Sequence, residues 1–145
     1  MHKFSCISDF LKKQHILSLC CINNDQLWCA NCFYVFKDDK SMSLYLMTSP
    51  NTRHGSYLMQ NSNIAGTINN GEKNVLLIQG IQYKGYISIL EEETNKKKAL
   101  VTYHKRFPMS RFISAPIWLI TLEEIKMTDN KTKFGTKIIW HRNTF

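Results

Sequence analysis

The chain has 145 residues, 43% of them hydrophobic, enough for a packed core and too apolar for a disordered chain. Nineteen basic residues against 11 acidic ones leave a net charge of +8. That charge suits solubility and also attracts anions, whether nucleic acid, an anionic membrane face or a phosphorylated cofactor. No stretch approaches the roughly 20 apolar residues of a membrane span. With no export signal in view the expected location is the cytoplasm. Five cysteines, an odd number in a reducing compartment, argue against a disulfide framework.

In chain order, Phe4, Ile7, Phe10 and Leu11 lie on one face of a short helix that Ser5 or Ser8 would cap. His15 to Ile22 reads as a strand. Asn23-Asn24-Asp25 is a turn, and Gln26 to Phe36 returns as the second arm of a hairpin. Lys37 to Lys40 turns again, and Ser41 to Ser49 is the third strand. After Pro50, the spacing of Tyr57, Leu58 and Met59 predicts a short helix capped by Asn51 or Thr52. Asn63 to Asn69 is a short strand. Val75 to Leu90 reads as a long strand or strand pair, with bends or bulges at Gly80 and Gly85. Glu91 to Phe107 is a charged helix, acidic first and basic last, with Thr94 as a possible later cap and Pro108 as its stop. Ala115 to Thr128 and Thr136 to Arg142 are the closing strands. Repeats, low-complexity tracts and linkers are absent, so one domain over residues 1–145 is expected. Its class is mainly β, a small closed or partly closed barrel with short flanking helices.

Cys29-Ala-Asn-Cys32 has the spacing of a metal or redox motif. Side chains alternate along a strand, so Cys29 and Cys32 fall on opposite faces and cannot share a zinc ion. No helix starts there to stabilise a thiolate. Cys6, Cys20 and Cys21 read likewise as core or barrel-wall cysteines. His2, His15, His54, His104 and His141 have no metal-ligand spacing, and no metal is expected. A Gly-x-Ser-x-Gly nucleophile elbow is absent, and no catalytic residue is assigned.

One stretch does have the composition of a site: Leu46 to Tyr57. Hydroxyls at Thr48, Ser49 and Thr52, the Arg53 guanidinium and the His54 imidazole gather where a helix begins. Cationic donors, hydroxyls and free backbone N–H groups are what a phosphate needs. An ordinary polar loop with a helix cap has the same composition.

These residues carry a resemblance. A helix, a hairpin, then a strand ending in Thr followed by a basic pair is similar to the FMN-binding split barrels of the pyridoxamine-phosphate-oxidase type. Within that superfamily "KQH", "LWCANCFYVF", "TRH", "AGTIN", "IQGIQYKG", "RFPMSRFISAPIW", "LEEIKMTDN" and "FGTKIIWHR" resemble, in order, the YhbP-like bacterial family. The resemblance spans almost the whole chain. It implies FMN as cofactor, with the phosphate on Thr48, Ser49, Arg53 and His54. It implies an isoalloxazine ring beside Asn31, Cys32, Phe33 and Tyr34. It implies a homodimer with the flavin at the subunit interface and, beyond binding, a flavin-dependent oxidoreductase of open substrate. The superfamily's second basic residue is usually Lys, where this chain has His54, a pH-dependent phosphate partner. In the C-terminal strand, Trp140 beside Arg142 has the composition of an interface hot spot next to the cofactor; Trp140 capping its own barrel is the other reading. A non-enzymatic barrel that has lost flavin, or that holds haem or another planar ligand, stands as one alternative. A basic nucleic-acid-associated protein stands as a second, though no recognised nucleic-acid motif supports it.

Overall fold

The structure, a computed structural model, describes residues 2–143, with side chains from residue 4 onward. Period-two alternation in the sequence becomes seven strands. They are β1 (Ile16–Asn23), β2 (Gln26–Phe36), β3 (Ser43–Met47), β4 (Asn63–Asn69), β5 (Gln79–Ile89), β6 (Ile117–Asp129) and β7 (Lys137–His141). Their order in the sheet is β3-β2-β1-β4-β5-β6-β7, and β3 also pairs with β6. That extra pairing closes the first six strands into a barrel. β6 is long enough to split one edge, giving Ile117 to Thr121 to β3 and Glu124 to Thr128 to β7.

Alternate residues of each strand fill the barrel. Leu17 and Leu19, Tyr34 and Phe36, Leu44 and Leu46, Ile81 and Tyr83, and Trp118, Ile120 and Leu122 form one buried cluster. Gly66 is required there because Tyr83 passes under it to donate from its hydroxyl to the Ser18 carbonyl at 2.7 Å. A Cβ at Gly66 would collide with that Ser18 carbonyl and lie 2.5 Å from the Tyr83 hydroxyl. The expected irregularity at Gly85 is present as a register shift between Lys84 and Gly85, whereas Gly80 pairs regularly with Asn69 and Thr128.

The helix α1 (His2–Lys13) plugs one end of the barrel with Ile7, Phe10 and Leu11, and the Tyr34 hydroxyl donates to the Leu11 carbonyl at 2.7 Å. Ser5 and Ser8 lie inside α1, so neither caps it; Ser8 instead donates to the Ser5 carbonyl at 3.2 Å. The helix α3 (Glu93–Arg106) lies outside β2, β3 and β6, where Ala99 and Tyr103 meet Val35, Tyr45 and Ile117. Its cap is Glu92, not Thr94: the carboxylate accepts from the amides of Thr94 and Asn95 at 3.0 and 2.9 Å. Pro108 ends α3 as expected and opens a short 3-10 turn, Pro108–Phe112.

A further departure from the sequence expectation is at Val75–Leu77, a 3-10 turn and not the start of a strand. Asn74 accepts from the Leu76 amide, and Asn70 donates to the Leu77 carbonyl, each at 3.0 Å. Local amide side chains thus win over the β-propensity of Val and Leu. Among the described residues no helix is long and apolar enough to cross a membrane.

Candidate functional site

The β2–β3 pairing covers only Tyr34 to Phe36, with Tyr34 opposite Leu46. Extending that register would place Cys32 opposite Thr48, but by then the chain has left the sheet. At Phe33 the carbonyl accepts the Tyr103 hydroxyl at 3.1 Å, and the edge of β2 before it is open on the β3 side. The Tyr34 amide donates to the His15 carbonyl at 2.9 Å, so residue 34 points its backbone groups toward β1. Alternation then aims the backbone N–H and C=O of Cys29 and Asn31 at the open edge.

The loop after β3 and the helix α2 (Arg53–Gln60) lie beside this edge. Thr48 is buried and held on both sides of its peptide. Its amide donates to the Pro116 carbonyl at 3.4 Å, and its carbonyl accepts the indole N–H of Trp118 at 2.9 Å. Thr52 is the N-cap, accepting from the Gly55 amide at 3.0 Å and donating to the Ser49 carbonyl at 2.7 Å. Ser49 Oγ accepts the Asn51 amide at 3.1 Å. Gly55 allows α2 to sit on this loop, since a Cβ there would strike the Ser49 carbonyl and come within 2.9 Å of Pro50 Cα. The first-turn amides of Arg53 and His54 have no carbonyl four residues back within the helix.

The two basic residues behave differently. Arg53 is exposed, with its guanidinium carbon 3.7 Å from the centre of the Trp28 ring and 5.9 Å from that of Tyr57. This stacking fixes a cation beside the open edge of β2. His54 is half-buried, with Nε2 2.6 Å from Thr48 Oγ1 and 3.4 Å from Thr52 Oγ1. Burial pushes its pKa below the usual 6.5. His54 is thus neutral at pH 7 and orients Thr48, while Arg53 supplies the positive charge.

The four residues expected beside a ring divide by parity. Asn31 and Phe33 face outward and are exposed, whereas Cys32 and Tyr34 bury their side chains in the barrel and turn their backbone groups toward β1. Phe33 stacks on His15 at 6.0 Å and tilts against Phe107 at 5.5 Å. Burial pushes the Cys32 thiol up to about 11, so it is no nucleophile at neutral pH.

The structure keeps Trp140 and Arg142 side by side, the guanidinium carbon 5.6 Å from the centre of the Trp140 ring, and ties both into the chain's own barrel. Trp140 is on the inner side of β7, against the barrel core, as in the reading where it caps its own barrel. Arg142 lies across the split of β6. It donates from Nε to the Leu122 carbonyl at 2.7 Å and from a terminal nitrogen to the carbonyls of Ser41 and Met42 at 2.7 and 3.0 Å. Its guanidinium closes the seam between β3 and β7, a structural role that an isolated interface pair would not have.

Trp28, the platform under Arg53, is absent from the sequence-based site. It lies 25 residues away in sequence and only the hairpin geometry brings it near. A Ser–His contact, His104 Nδ1 to Ser110 Oγ at 2.6 Å, is not a nucleophile site. Ser110 is buried and its hydroxyl proton goes to the Phe107 carbonyl at 2.5 Å. Among the described residues no group of three His, Cys, Asp or Glu side chains is placed to hold a metal ion.

A barrel closed through β3–β6, split along β6 and plugged by a helix defines a split barrel of the pyridoxamine-phosphate-oxidase type. Solved structures share this fold at low identity. A heme-binding protein from Mycobacterium smegmatis aligns with a TM-score of 0.79 at 11% identity, covering 96% of this chain and 57% of that one. ChuZ from Campylobacter jejuni gives 0.77 at 15%, covering 95% and 58%. A FAD-binding protein from Mesorhizobium loti gives 0.69 at 12%, covering 83% and 89%. No family model matches the chain. Sequence relatives are much nearer. A UPF0306 protein of Serratia proteamaculans is 47% identical over 94% of this chain and 93% of its own length. The UPF0306 protein YhbP of Escherichia coli is 44% identical over 99% and 97%. The chain belongs to the UPF0306 (YhbP) family.

Proposed function

We propose that this protein binds FMN, with the phosphate on the loop between β3 and α2 and the ring along the open edge of β2. The observation that carries the reading is the juxtaposition of that edge with a stacked Arg53 and the start of α2. Arg53 would take the phosphate through its fork, with Thr48, Ser49 and the first-turn amides completing the cradle. Backbone groups of Cys29 and Asn31 match the hydrogen-bonding rim of a flavin, and Phe33 offers an apolar wall. A bound flavin would supply two-electron redox chemistry, which makes a flavin-dependent oxidoreductase the natural activity; the chain's own part is to bind and orient. That proteins of this fold include a FAD-binding and a heme-binding member supports a planar ligand on this fold.

Ile16 and Phe33 face each other at the end of the β1–β2 hairpin away from its turn and are exposed on the outer face, Phe33 54% accessible. A second copy of the chain would cover them and enclose the ring, since ligand sites bury most of their ligand. The functional unit is accordingly a homodimer, at work in the cytoplasm. The alternative ligand is haem, favoured by the same apolar face. The visible absorption spectrum of the purified protein separates the two: flavin bands support the reading, a Soret band replaces FMN by haem, and a protein that stays colourless and is unchanged by added FMN refutes both the site and the cofactor.

A further inference from the structure

We propose that Cys20 and Cys29 form a redox-active dithiol on the outer wall of the barrel, closing to a disulfide by exchange with a low-molecular-weight disulfide. This does not rest on the flavin reading.

The geometry comes from the hairpin. Asn24 and Asp25 both have positive φ, 48° and 62°, and Asn23 pairs with Gln26, which makes a two-residue turn with the twist of type I′. The pair flanking such a turn exchanges both backbone hydrogen bonds, and bonded and non-bonded pairs then alternate. Cys20 faces Cys29 in this register, at a non-hydrogen-bonded position. The Tyr34 amide bond to His15 confirms the phase further along. At non-bonded positions the Cα atoms lie about 4.5 Å apart, inside the range a disulfide spans. Burial, followed by the neighbouring Cys29, pushes the Cys20 thiol up.

Access fits the same chemistry. Cys29 is exposed and Cys20 half-buried, whereas Cys21 and Cys32 are buried on the opposite, inner face. Cys20 borders a groove of about 510 Å³ that Lys84 also lines. Register explains this: Cys29, Cys20, Ala65 and Lys84 form one row across β2, β1, β4 and β5.

The steps balance. Deprotonated Cys29 Sγ attacks one sulfur of the small disulfide; that S–S bond breaks, and the departing thiolate takes up the proton Cys29 lost. Deprotonated Cys20 Sγ then attacks Cys29 Sγ, and the second small thiolate leaves with the Cys20 proton. Two protein thiols are oxidised to one disulfide while the small disulfide is reduced to two thiols. In a reducing compartment the pair stays open, and it closes when the disulfide-to-thiol ratio rises.

The test equilibrates the full-length protein in buffers of increasing oxidised-to-reduced glutathione, blocks free thiols by alkylation and maps cysteines by mass spectrometry. All four cysteines of the hairpin lie between Lys13 and Lys37, so cleavage at Asp25 is needed to part those of β1 from those of β2, and fragment sequencing assigns the sulfur. The expected result is a cross-link from Cys20 to Cys29, reversed by dithiothreitol, with Cys6, Cys21 and Cys32 alkylated after denaturation. Cys20→Ser should trap a glutathione mixed disulfide on Cys29. A wild-type protein that holds glutathione stably on Cys29, cross-links between chains, joins another pair or leaves all five cysteines alkylatable would overturn the proposal.

Discussion

Gly55→Ala tests whether α2 is seated on the loop that gathers the candidate site. In an uncrowded helix this change should stabilise, because Ala is the better helix former by about 1 kcal/mol. Here a Cβ would strike the Ser49 carbonyl, with Thr52 Oγ1 at 2.7 Å and Pro50 Cα at 2.9 Å. Two of these are main-chain atoms, so no rotamer change relieves them and the helix must move. Overpacking of this kind costs ~1–3 kcal/mol, and the gain in propensity offsets only part of it. With main-chain atoms this close the cost falls at the upper end of that range, so a net loss of up to about 2 kcal/mol is expected, or roughly 2–4 °C in Tm per kcal/mol for a chain of this length. Urea denaturation with unchanged slope reads the difference. Ser56→Ala is the control. Ser56 is exposed and its hydroxyl donates only to the Arg53 carbonyl, so it should stay within about 0.5 kcal/mol of wild type. Gly55→Ala matching or exceeding wild-type stability would refute the seating of α2, and with it the placement of Arg53 and His54.

Three further outcomes follow from the structure. Arg142→Ala removes donors to three carbonyls at the seam of β6 and should cost about 2–3 kcal/mol by denaturation, with Arg142→Lys recovering only part because a single ammonium cannot span them; a neutral Arg142→Ala would remove the structural role. His54 has a folded pKa below its unfolded 6.5, so stability is full above that pH and falls as pH drops through the window beneath it, where the unfolded chain takes a proton the folded chain resists. Stability measured from pH 7 to 5 should show this slope, and His54→Asn should flatten it; an unchanged slope would mean another group is responsible. Cys29 and Cys32 should not bind zinc together, and stoichiometric zinc lost in Cys32→Ser would contradict their opposite orientation.

The strands were legible because alternation is local: Gln26 to Phe36 and the turn before it need only period and turn residues. The Thr52 cap and the stop at Pro108 were legible for the same reason. What was hidden depends on closure. Arg142 closes the seam only because β6 shares one edge between β3 and β7, a long-range consequence of lengths that no window of sequence shows. Trp140 has the composition of an interface residue, yet the pairing of Ile125 with Trp140 turns it inward. Trp28 reaches Arg53 because the register of β2 with β3 stops at Tyr34. In the same way Cys29 looks partnered with Cys32 along the chain, while its neighbour in space is Cys20, across the hairpin. At Val75–Leu77 the error is one of competition, since Asn70 and Asn74 satisfy backbone groups that a strand would have offered to a neighbour.

FMN titration of the purified full-length protein, followed by quenching of flavin fluorescence, tests the central claim most directly, with Arg53→Ala measured beside it. Wild type should saturate at one flavin per chain with Kd about 10 μM or tighter. Arg53→Ala should bind at least about tenfold more weakly, the loss of a charge-assisted contact contributing ~1.5–3 kcal/mol, while keeping wild-type stability. Equal affinity in the two proteins would take the phosphate away from Arg53, and no saturable binding by wild type would contradict the flavin assignment itself.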